Sequence, residues 1–107
     1  MYIQFLFGFG SNPYISTTIE NTWKMFCKYC VRQIGENTFI VDELREWNGK
    51  RTYKGYQELL QALAIDWQYN FNKYNYSYSQ VSDWEYFFET YGKKYGLLKE
   101  FKENAIC

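Results

Sequence analysis

The sequence predicts an α+β fold, a small antiparallel sheet packed against about four helices over an aromatic-rich core. Three observations carry it: period-two alternation at the start, helical spacing over most of the remainder, and an aromatic content of 23% in 107 residues. Rings bury roughly 150–250 Å² each, so a few of them supply much of the core of a chain this short. One domain over residues 1–107 is the expectation at this length.

Ile3, Phe5, Phe7 and Phe9 alternate with Gln4, Leu6 and Gly8, which predicts a strand over 3–9 with one buried face. Pro13, in "GSNP", ends it. From Thr17 to Ile34 the period becomes helical. At about 100° per residue, Ile19, Trp23, Phe26, Cys27, Cys30 and Ile34 share one stripe, and Lys24, Lys28 and Arg32 oppose it. Ser16 or Thr17 serves as cap and Gly35 as the C′ stop. "NTFIV" (37–41) reads as a second strand. Asn48-Gly49, inside "EWNGKRTY", is a strong hairpin signal with flanking strands near 41–47 and 50–53. The sheet therefore comprises the N-terminal strand and the 38–53 region.

Residues 55–73 place Tyr56, Leu60, Leu63, Ala64, Trp67, Phe71 and Tyr74 on one helical face. A further helix over 80–91, capped by Ser79 or Ser82 and stopped by Gly92, gathers Val81, Trp84, Phe87, Phe88 and Tyr91. A last helix follows at 97–104, with Leu97, Leu98 and Phe101 apolar.

Composition excludes several functions. Twelve basic residues balance twelve acidic ones, spread over both halves, which disfavours both duplex DNA binding through phosphates and an acidic DNA mimic. The absence of histidine removes the commonest general base, the His-activated nucleophiles and His-ligated metal sites. "MYIQFLFGFG" lacks a basic leader and is too short to span a bilayer, so no membrane association and a cytoplasmic location are expected. Three cysteines agree with a reducing compartment. Cys27 and Cys30 have CxxC spacing, but mid-helix on the apolar stripe they read as small buried hydrophobes rather than a redox or zinc pair. No cofactor, metal or catalytic residue is expected, and the chain reads as non-enzymatic.

Two constellations remain. Tyr69, Tyr76, Tyr78 and Tyr86 fall off the core stripes, with Asp83, Glu85 and Glu89 near them. They read either as packing between helices or as a protein-binding face, since Tyr is enriched at interfaces and acidic groups suit a basic partner. Lys50, Arg51 and Lys54, flanked by Trp47 and Tyr53, form the densest basic cluster and suit single-stranded nucleic acid at a hairpin tip. Asp42, Glu43 and Glu46 make a further acidic group, which reads as a patch for a basic partner surface rather than as an acid–base pair or a Mg²⁺ site. Burial of the surplus rings in a homodimer is the third reading.

The segment "WEYFFETYGKKYGLLKEFKENAIC" carries Trp84, Phe88, Gly92, Tyr95 through Leu98, Glu100, Phe101, Glu103 and Asn104. It resembles the C-terminal part of small proteins of phages and mobile elements of Gram-positive bacteria. The resemblance covers about a quarter of the chain. Proteins of that provenance include anti-CRISPR and antirestriction inhibitors, so it implies a protein partner such as a CRISPR or restriction nuclease.

Overall fold

A computed structural model describes residues 1–8 and 12–107, with the side chain of Glu43 also outside the description. The fold is α+β. In chain order the elements are β1 (Ile3–Phe7), β2 (Tyr14–Ser16), α1 (Ile19–Lys28), β3 (Tyr29–Gly35), β4 (Thr38–Glu46), α2 (Tyr53–Phe71), α3 (Tyr78–Lys94) and α4 (Leu98–Glu103). They form two compact units, Met1–Asn48 and Gly49–Cys107. Phe9, assigned to the first strand, and Gly10-Ser11 of the break lie outside the described residues.

In the first unit the described strands form a four-stranded sheet of order β2-β1-β4-β3. Ile3 and Phe5 are fully buried, as the alternation requires. The sheet is mixed rather than antiparallel. β1 pairs antiparallel with β2 and β3 with β4, but β1 and β4 run parallel, with Phe5 opposite Phe39. The chain reaches β4 through β2, α1 and β3, and that route returns it beside β1 in the same direction. Phe5 stacks on Phe39 at 5.6 Å, and Phe26 of α1 meets both edge-on at 5.9 and 5.3 Å. Ser16 and Thr22 are buried polar residues whose hydroxyls lie 2.8 Å apart, each also reaching the Thr18 carbonyl, so neither is left unsatisfied.

The first predicted helix is shorter than its stripe. Capped by the Thr18 hydroxyl, α1 ends at Lys28, and Tyr29–Gly35 continue as a strand. Those residues are rich in β-formers, and pairing Val31 with Val41 and Gln33 with Phe39 satisfies their backbone better than two more helical turns. Gly35 is accordingly a strand residue, and Ile34 is exposed.

The hairpin also lies elsewhere. Its turn is Glu36-Asn37, with Asn37 in the left-handed region at φ 51°. Asn37 also joins the hairpin to β1: its carbonyl accepts from Gln4 N–H at 2.8 Å, and its side-chain amide donates to the Tyr2 carbonyl at 3.2 Å. Asn48-Gly49 instead connects β4 to α2, and 50–53 form no strand. Thr52 caps α2 by accepting from Gly55 N–H. A Cβ on Gly55 would run into the Lys50 carbonyl oxygen, so the lead into the helix closes against a bare glycine.

The second unit contains α2, α3 and α4. Leu60, Ala64 and Trp67 of α2 are buried, as are Trp84, Phe87, Phe88 and Tyr91 of α3 and Phe101 of α4. Ser77 and Gln80 form a capping box for α3, so the cap lies two residues ahead of Ser79 and five ahead of Ser82, the expected caps. Gly92 lies within α3 rather than ending it, because Phe101 occupies the space where its side chain would be, 2.8 Å from an ideal Cβ. The helix runs on to Lys94, and Gly96, at φ +72°, makes the stop.

Two stability measurements check these close approaches. Gly55→Ala, worth about 1 kcal/mol of stabilisation by helix propensity alone, is expected to destabilise by about 1–3 kcal/mol in chemical denaturation. Asn37→Ala is expected to cost about 1–3 kcal/mol, since it removes a side-chain hydrogen bond and puts a less tolerant residue in the left-handed region. A Gly55→Ala protein as stable as the parent would refute the first expectation.

Candidate protein-binding face

α3 buries one side and shows the other to solvent. At about 100° per residue, Trp84, Phe87, Phe88 and Tyr91 cluster on the buried side, and Tyr78, Ser82, Glu85, Tyr86, Glu89 and Lys93 fall within about 100° of one another opposite them. Tyr78 is 88% exposed and Tyr86 61%, with Glu85 and Glu89 exposed between and after them. Four of the seven predicted protein-binding residues thus share one stripe. The capping box holds the first turn, so Tyr78, the first helical residue, projects from a fixed backbone.

The other three are placed differently. Tyr69 is 79% exposed but lies about 180° from Leu60 on α2, beside exposed Ile65 and away from that helix's buried side. Asp83 is half-buried and flanks the stripe beyond Tyr86. Tyr76 packs into the ring cluster, 4.7 Å from Trp67 and 6.4 Å from Phe71, because the loop between α2 and α3 folds it back over the end of α2. Phe71, assigned to the core stripe, remains 44% exposed.

The basic cluster is not at a hairpin tip. Lys50, Arg51 and Lys54 are exposed where the chain enters α2, and that helix has no acidic residue in its first turn. Tyr53 is exposed on one side and meets the Tyr95 ring at 5.6 Å on the other. Trp47, half-buried in the first unit, donates its backbone N–H to the Lys28 carbonyl.

Cys27 and Cys30 do not share a buried helical stripe. Cys27 is half-buried in the last turn of α1, and Cys30 is half-buried on β3 with its thiol donating to the Glu46 carbonyl at 3.5 Å. Neither stands at a helix N-terminus, where a redox thiolate gains its stabilisation. Asp42 accepts from the Leu44 N–H, and Glu46 is exposed. Among the described residues, no group of three or more Cys, Asp or Glu side chains is placed to hold a metal ion. No described helix is long and apolar enough to cross a membrane.

Cys107 registers the field of α3. Burial pushes its thiol up, the carboxylates of Glu89 and Glu85 push it further, and Lys102 pulls against them. Both acidic groups of the stripe therefore act on the segment that follows α4. Comparison with family models, with curated proteins and with solved structures finds no match.

Alkylation of Cys107, followed peptide by peptide, is expected to accelerate at higher pH than for an ordinary thiol. A raised pKa withholds the reactive thiolate until more alkaline pH. Glu89→Gln removes one opposing charge and is expected to move that midpoint down. An unmoved midpoint would refute the contribution of Glu89.

Proposed function

We propose that the protein is a non-enzymatic binding module whose α3 stripe docks on a basic surface of a protein partner. The carrying observation is the exposure of Tyr78 and Tyr86 on the same helical face as Glu85 and Glu89. Exposed Tyr rings on a folded helix offer large apolar area with little rotamer entropy to lose, and two carboxylates among them select a cationic counterpart and repel an acidic one. The resemblance of residues 84–104 to phage and mobile-element proteins suggests the class of partner. A bacterial defence nuclease carries a cationic nucleic-acid groove, and an acidic, aromatic helix face can occlude such a groove in the cytoplasm of the host.

A second reading follows from the base of α2. Lys50, Arg51 and Lys54 gather at the positive end of a 19-residue helix without a carboxylate in its first turn. Cations there repel the helix dipole, and a phosphate relieves that repulsion. Single-stranded nucleic acid is the ligand of this reading.

Capture from bacterial lysate, with and without nuclease treatment, separates the two. For the first, the double substitution Tyr78→Ala with Tyr86→Ala is expected to weaken capture by about 30-fold or more. The same change should alter folding stability by less than about 0.5 kcal/mol, as fits exposed positions. Undiminished capture would overturn the proposal. Capture lost on nuclease treatment and falling steeply with salt would transfer the function to the Lys50–Lys54 cluster.

A further inference from the structure

Beside the acidic stripe, a cleft of about 270 Å³ opens between α2, α3 and the segment after α4. Its lining includes Trp67, Phe71, Val81, Glu85 and Ile106, with the amides of Gln68 and Asn72 among them. Trp67 and Phe71 stand one helical turn apart, their centroids separated by 5.7 Å and their planes by 78°. The two rings therefore touch edge to face. Trp67 is nearly buried and forms the inner wall, whereas Phe71 keeps 44% of its surface exposed. Glu85, one turn beyond Val81 on α3, is exposed and engages in no ion pair among the described residues.

That lining selects a cation on an apolar stem. The exposed ring of Phe71 attracts a cation, the carboxylate supplies a full countercharge, and Val81 and Ile106 accept methylene groups. An anion would meet Glu85 directly. A neutral aliphatic chain would desolvate the carboxylate without compensating it. The raised Cys107 thiol, displaced partly by Glu89 and Glu85, reports the same negative potential from the neighbouring segment.

We propose that this cleft receives a single lysine or arginine side chain of the protein partner, its stem laid against the exposed part of Phe71 and against Val81, its charge at Glu85, and Trp67 the wall behind it. The identification of the donor as a protein partner rests on the docking reading above; the chemistry of the cleft does not.

The test uses small probes on the full chain. Nα-acetyl-arginine amide, Nα-acetyl-lysine amide and the neutral isostere Nα-acetyl-citrulline amide are titrated while the Trp67 indole N–H and the Phe71 and Ile106 amides are followed by NMR. The expected result is a saturable shift with both cations and at least roughly fivefold weaker binding of citrulline. Glu85→Gln should remove that preference without changing the thermal midpoint. Phe71→Leu, which keeps an apolar wall, should weaken the cations alone. An equal response to citrulline, no shift at Trp67, or an unchanged preference in Glu85→Gln would overturn the proposal. If the cations bind but substituting Tyr78 and Tyr86 leaves capture intact, the cleft stands and the docking reading falls. If the titration fails while those substitutions abolish capture, docking stands and the cleft falls.

Discussion

Among the described residues, the ring of Trp67 has four aromatic neighbours, Phe71 at 5.7 Å, Tyr76 at 4.7 Å, Trp84 at 5.5 Å and Phe88 at 6.4 Å. They come from the same helix, from the loop after it and from α3, so one side chain determines how α2 and α3 meet. Dense packing allows few alternatives to that arrangement, since a ring displaced by one turn leaves a cavity on one side and a clash on the other. With Trp84 and Phe88 held against Trp67, the opposite side of α3 must face water. Tyr78, Glu85, Tyr86 and Glu89 reach solvent together for that reason. The candidate interface is thus the reverse side of a core, and the cleft beside it is one place where that core does not quite close.

A second constraint is the close approach of backbone to its neighbours at a few small residues. Gly55 admits the Lys50 carbonyl, Gly92 admits the Phe101 ring, and Asn37 takes a left-handed turn while bonding to Tyr2 and Gln4. Each holds together parts of the chain that local preference would leave apart. Gly92 shows the difference between local and tertiary roles well. Its lack of a side chain can end a helix, but here it serves the packing of α4 against α3, and the ending falls to Gly96.

Electrically the chain is neutral as a whole, yet its charges are sorted locally. Glu85 and Glu89 occupy the outward face of α3, whereas Lys50, Arg51 and Lys54 gather at the start of α2. Net charge therefore says little about what either region can bind. Local fields at short range govern recognition, because at physiological ionic strength charges more than about 8 Å apart are largely screened.

The α+β class, the burial of Ile3 and Phe5, the second-unit helices and the exposure of Tyr69, Tyr78 and Tyr86 were legible in the sequence. Periodicity is a local property, and these segments obey one period from end to end. Residues 29–35 were not legible, because Cys30 and Ile34 fit a helical stripe as readily as a strand and only the partner β4 decides between them. The same holds for Asn48-Gly49, a turn pair without a second strand to fold against, and for the parallel pairing of β1 with β4, which depends on the route of the chain. Tyr76 and Phe71 exchanged their expected roles for a related reason. Which ring covers Trp67 is settled by the loop geometry of residues 72–77, not by helical spacing. By itself the sequence determined which faces are apolar and, Tyr76 and Phe71 apart, which rings were surplus to them. Tertiary structure alone decided which surplus residues stand together, because that depends on which buried side chains occupy the same space.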